Sequence, residues 1–158
     1  MSFKAENSGA LLFDRYFDAT PVNGYSIQRG LTPAKVTDQD ASILRQGVNW
    51  HQSKDYDLAL VSLRAYLESN PVPATGRPLL LAATAAIAIG EYEEAAGYLA
   101  EVPRVDAATR VADDWYTALL ALRKEDLAAA RPLLEKIAKD ANGRNYAAKD
   151  LLKALSAK

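Results

Sequence analysis

The chain has no cysteine, one histidine and one methionine among 158 residues, and its charges almost cancel. The missing cysteines exclude disulfides, thiolate metal sites, iron–sulfur clusters and a cysteine nucleophile. The single imidazole, His51, has no second histidine to share a zinc ion with, and a Ser-His-Asp triad would have to run through it alone. Lys plus Arg number 19 against 20 Asp plus Glu, a formal net charge of −1. Recognition of nucleic acid or an anionic membrane through clustered positive charge lacks its electrostatic basis here. No run reaches the roughly 18 apolar residues of a membrane-spanning helix. The longest, Pro78 to Ile89, is 12 residues long and is interrupted by Thr84, and it reads as a buried core helix. Residues 1–7 show neither the hydrophobic stretch nor the cleavage site of a signal peptide.

What is present points to packed helices. At 49% hydrophobic and 25% charged, the composition is that of an ordinary globular chain. Alanine is in large excess, 30 residues beside 21 leucines. That excess favours close-packed helix over sheet.

Residues 1–39 differ from the remainder. They hold Gly9, Gly24, Gly30, Pro21 and Pro33 and no sustained helical period, although Ser8 to Phe17 can form a short helix. The segment also carries all three phenylalanines together with Tyr16, Tyr25 and Ile27. Disordered tails are poor in aromatics, so the segment is expected to pack against the body formed by residues 40–158.

From Asp40 onward an apolar period near 3.6 predicts seven helices, at about 40–53, 56–69, 77–90, 91–101, 107–123, 126–139 and 145–157. The breaks carry their own signals. The run from Asn70 to Gly76 holds Pro71 and Pro73, Pro78 suits a first helical turn, Gly90 a helix end, and Pro103 a stop. Pro132 falls about six residues into the sixth helix and is expected to kink it, because its nitrogen cannot bond to the carbonyl of Ala128. Connections of two to seven residues make consecutive helices antiparallel neighbours.

Laid in pairs, the helices repeat. Tyr56 and Ala59, Tyr92 and Ala95, and Leu127 and Ala130 open the second helices, and Leu63, Leu99 and Leu134 follow four residues after each alanine. Another small residue, Gly47, Ala83 or Ala118, lies twelve residues before each alanine. Small side chains at these positions let two helices approach closely at their crossing. A recurrence of about 35 residues is the mark of stacked helix pairs.

This pattern resembles the tetratricopeptide repeat family, whose unit is a helix-turn-helix of about 34 residues. Gly47, Trp50, Tyr56, Ala59, Leu63 and Pro71 fall at the family's small, aromatic, Tyr, Ala, apolar and Pro positions. Gly90-Glu91-Tyr92-Glu93-Glu94-Ala95 looks like the family's turn. The third repeat departs from the pattern, with Leu127 in place of Tyr, Asn142 in place of Pro, and Trp115 one residue beyond the usual aromatic. The resemblance covers residues 40–157. It implies an all-α, right-handed helical-hairpin solenoid of about three helix pairs with a C-terminal capping helix. The stretch from Leu12 to Asp18 and on to Gln28-Arg29-Gly30 is similar to the segment preceding the repeats in bacterial membrane-anchored tetratricopeptide proteins. That similarity implies a soluble domain tethered to the membrane in a longer protein and facing the periplasm, with the cytoplasm as the alternative.

The search for chemistry finds none. His51 has Gln52, Ser53 and Asp55 nearby in sequence but no nucleophile and orienting acid at a useful spacing, and it reads as a surface or groove residue. Asp113-Asp114 and Glu93-Glu94 are adjacent on helices and do not face one another, so they read as solvated helix ends rather than a metal site. Asn142-Gly143-Arg144 is a turn. No phosphate loop, dinucleotide fingerprint or metal signature is present, and no cofactor is expected.

The resemblance instead implies a concave groove lined by the first helix of each pair. It assigns there Leu44, Val48, His51 and Gln52, then Arg77, Leu80, Thr84 and Ile87, then Trp115, Leu119, Leu122 and Arg123. The residues expected to meet a partner are His51, Gln52, Arg77, Thr84, Trp115, Leu119 and Arg123, with Trp115 either a recognition anchor or a core residue. The expected function is a non-catalytic scaffold that binds a protein or peptide in this groove. The alternative is an assembly subunit whose groove is filled by its own N-terminal segment, a role compatible with homo-oligomers.

Overall fold

The computed structural model describes residues 8–19, 37–70, 76–103, 107–143 and 146–156. Of these residues 83% are helical and none lies in a strand, which settles the fold class as all-α. The N-terminal stretch at 20–36, Pro71 and Arg144 lie outside the described residues. The chain forms two compact units, one of residues 19–105 and one of residues 1–18 with 106–158. The boundary between them does not coincide with the division at residue 39 drawn from composition.

Among the described residues of the 19–105 unit there are four helices. Helix α2 (Asp38–Gln52) opens where Thr37 Oγ1 accepts the Asp40 amide at 3.1 Å, with Asp38 and Asp40 complementing the positive end of the helix. Its buried face, Ala41, Leu44, Gly47, Val48 and His51, packs on α3 (Tyr56–Ser69), which contributes Ala59, Leu60, Leu63, Tyr66 and Leu67. Helix α4 (Arg77–Ala88) carries Pro78 in its first turn and packs against both α3 and α5 (Tyr92–Glu101). Every residue of α4 from Arg77 to Ile87 is buried. A helix apolar all round belongs in a core, so the reading of Pro78–Ile89 as a core helix holds.

The unit of residues 1–18 and 106–158 is built on α6 (Ala107–Arg123). It packs α1 (Gly9–Tyr16) on one side and α7 (Leu127–Lys139) on another, and α7 in turn packs on α8 (Ala148–Ser156). Pro132 does sit inside α7, which begins at Leu127. A 3-10 turn at Ala141–Gly143 follows, where Gly143 is needed because a β-carbon would come within 2.1 Å of the Ile137 carbonyl oxygen.

One backbone device occurs three times. Lys54, Gly90 and Glu125, 36 and 35 residues apart, hold φ of +65°, +86° and +60°. At each turn the left-handed residue donates its amide three residues back, to His51, Ile87 and Leu122. The next residue, Asp55, Glu91 or Asp126, donates five residues back, to Trp50, Ala86 and Ala121. This Schellman-type ending reverses the chain at once, and it gives α2–α3, α4–α5 and α6–α7 the same hairpin turn. Ala59, Ala83, Ala95, Ala118 and Ala130 are fully buried, and Gly47 is buried with them.

Candidate functional site

In the 19–105 unit, the residues expected to line a binding face are mostly closed to solvent. His51 is 1% exposed and Thr84 not at all. The Thr84 hydroxyl lies 3.0 and 3.1 Å from the carbonyls of Leu80 and Leu81 and shares a hydrogen bond of 2.9 Å with His51 Nε2. The Tyr56 ring meets the imidazole edge-on at 5.3 Å. Burial pushes the His51 pKa down to about 4, only partly opposed by a backbone hydrogen bond. The imidazole is therefore a neutral link between α2 and α4 rather than the surface or groove residue expected. Arg77 is 8% exposed at the start of α4, and Gln52 at the end of α2 is exposed.

Elsewhere in this unit, Arg64 of α3 makes a two-pronged ion pair with Glu94 of α5, which also accepts from the Tyr98 hydroxyl. The Arg64 hydrogen bonds hold the Glu94 carboxyl below its usual range. Burial, with Glu94 beside it, lifts the Tyr98 phenol to about 12. These groups line a cleft of about 350 Å³ with Glu68 and Glu101. Arg64 and Glu94, at its wall, are paired with each other.

In the unit of residues 1–18 and 106–158, Trp115 is 5% exposed and packs on the Tyr146 ring at 5.3 Å, while Leu119 is fully buried. Asp113 and Asp114 are each 5% exposed in mid-helix, not at a solvated end. Asp114 pairs with Lys136 of α7 at 3.5 Å.

Arg123 is half-buried, and its guanidinium lies over the Phe13 ring of α1 at 5.8 Å. Phe13 stacks on Phe17 at 5.4 Å, Phe17 meets Tyr116 edge-on at 6.3 Å, and the Tyr116 hydroxyl donates to the Asp18 carbonyl at 2.9 Å. At the other end of α1 the Glu125 carboxylate accepts from the amides of Gly9 and Ala10, at 2.7 and 2.8 Å. Ser8 Oγ takes the Leu11 amide at 3.2 Å, so the free donors of the first turn are satisfied. Gly9 is obligatory, because a β-carbon there would sit 2.0 Å from the Leu122 carbonyl oxygen.

Comparison with protein-family models, curated proteins and solved structures finds no match.

Among the described residues no group of three or more His, Asp or Glu side chains is placed to hold a metal, and no helix is long and apolar enough to cross a membrane. Of the seven expected contact residues, His51, Arg77, Thr84, Trp115 and Leu119 are buried, and Gln52 and Arg123 remain accessible. Sequence reading missed Tyr116 and Glu125 altogether. The one signal available for them was the aromatic density of Phe13, Tyr16 and Phe17, which demands a covering surface somewhere in the chain.

Proposed function

We propose that this chain is a non-catalytic interaction module of the tetratricopeptide type. In this reading the three hairpins, α2–α3, α4–α5 and α6–α7, are successive repeats of a right-handed solenoid, and α8 caps the last. The recurrence of the same left-handed turn at Lys54, Gly90 and Glu125, in step with the buried alanines, supports the repeat. The partner is a protein or peptide, and no cofactor takes part. The buried members of the expected contact set serve packing, and recognition falls to Gln52 and Arg123 with their neighbours.

The observation that carries the reading is the seat of α1 on α6. A face that holds a helix by aromatic, cationic and backbone-capping contacts is suited to binding helical segments. The same observation favours the assembly role as second reading, in which α1 permanently fills the face.

A photo-crosslinking residue in place of Gln52 in the full chain, expressed in its source cells, tests the module. A discrete adduct with a second protein, lost when excess unmodified chain competes, is the expected result. Absence of any adduct beyond background would overturn the scaffold reading.

A further inference from the structure

The contacts between α1 and α6 are residue-specific in a way that core packing does not require. Glu125 holds φ +60° as part of the same hairpin turn that Lys54 makes at +65°, so the turn, and not α1, fixes its backbone. In that position its carboxylate meets two adjacent amides, Gly9 and Ala10, at the start of a helix 115 and 116 residues away. The acceptor reads helix backbone, so it suits any helix that starts there. Leu122 admits only glycine at the first position. Arg123 and Tyr116 then read aromatic rings four and eight residues further on, at Phe13 and Phe17.

The ligand is as telling as the surface. Helix α1 has eight residues, too few to be stable alone in water, so its order depends on docking. Only Gly9, Leu12 and Phe13 are buried in it, and Leu11 faces solvent at 41% exposure. The buried face of α1 is small, the helix is tied to the unit by capping and ring contacts, and the α6–α7 hairpin is closed by a turn of its own.

We infer that Tyr116, Leu122, Arg123 and Glu125 form a helix-receiving site in which α1 is a resident, exchangeable ligand, and that the partner is a helix opening on glycine with aromatic residues four and eight positions later. The inference rests on the interaction-module reading and names the partner's chemistry. In the resting chain α1 occupies the site in cis, so a partner must compete with a tethered copy whose effective concentration is on the order of millimolar.

The test uses a fluorescent peptide of residues 8–19 titrated into the intact chain and into the intact Gly9→Leu chain, whose own α1 cannot seat. Saturable binding is expected, at least about tenfold tighter to Gly9→Leu than to the wild type because the cis competitor is gone. A peptide carrying Gly9→Leu should bind neither chain. Equal affinity for both chains, or no binding to Gly9→Leu, would overturn the site.

Should Gly9→Leu abolish the folding transition, the absence of native cysteine permits a second measurement in the otherwise native chain. Spin labels at Leu11→Cys and Lys124→Cys report the α1–α6 separation. Millimolar peptide should move the distance distribution to longer values, and an unchanged distribution refutes exchange. Loss of peptide exchange with a persistent Gln52 adduct removes this site and leaves the module. Peptide exchange without any Gln52 adduct does the reverse.

Discussion

Gly47 of α2 lies so close to Leu63 of α3 that a β-carbon at residue 47 would come within 3.0 Å of Leu63 Cγ. The contact is tight but meets a side chain, so alanine can be absorbed where a larger residue cannot. Gly47→Leu should destabilise the chain by about 1–3 kcal/mol through overpacking, and so should Ala95→Leu at its fully buried site. Thermal melts of both variants check this. Unchanged midpoints in both would show that the repeat register is misplaced.

His51 makes stability pH-dependent in a defined direction. Burial holds its pKa at about 4 in the folded chain, against 6.5 for a free imidazole. Above pH 6.5 the imidazole is neutral in both states and the full stability is present. As pH falls from 6.5 towards 4 the unfolded chain takes up the proton first, and stability drops by about 3 kcal/mol across that window. Urea unfolding of wild type and His51→Gln from pH 7.5 to 4 measures it. The variant should lose that part of the slope, and an identical slope would refute the assignment.

Trp115 separates packing from recognition. With 5% exposure and its ring against Tyr146, Trp115→Ala should cost about 3–5 kcal/mol, the range of a core aromatic. Partner binding, measured on whatever fraction stays folded, should change little. A stable Trp115→Ala chain that has lost its partner would restore the anchor role.

Pro132 is exposed inside α7, where it withholds one backbone hydrogen bond from the carbonyl of Ala128. Pro132→Ala restores the donor and should stabilise the chain by roughly 1–3 kcal/mol. Proline's lower unfolded-state entropy offsets part of that gain. A lowered melting midpoint would mean that the fold depends on the break.

Helix positions were legible because their signals are local. The period of the apolar residues, Pro78 at a first turn and Gly90 at an end placed α2 to α7 within one or two residues. The buried alanines were legible for the same reason, being small residues at matched spacing. The left-handed backbone at Lys54 and Glu125 was not, since neither is glycine and only the turn imposes the conformation. Glu125 capping Gly9 links two ends of the chain, and nothing in either local sequence announces the other. Asp113 and Asp114 looked solvated because charge usually is, yet Lys136 supplies a counter-charge for Asp114 from the neighbouring helix. The reading of Leu80, Thr84 and Ile87 as groove-lining competed with the reading of their helix as core, and burial from Arg77 to Ile87 decides for the core.

Amide hydrogen exchange of residues 9–16 in the intact chain bears most directly on whether α1 is a docked but separable ligand. The predicted result is protection well above that of the free peptide, combined with exchange through a sub-global opening that low denaturant accelerates, though less steeply than global unfolding, and that is faster than exchange of the buried α6 core around Leu119. Glu125→Gln should speed exchange across α1 while leaving α6 unaffected. Free-peptide exchange rates for α1, or exchange only in step with global unfolding of α6, would contradict it.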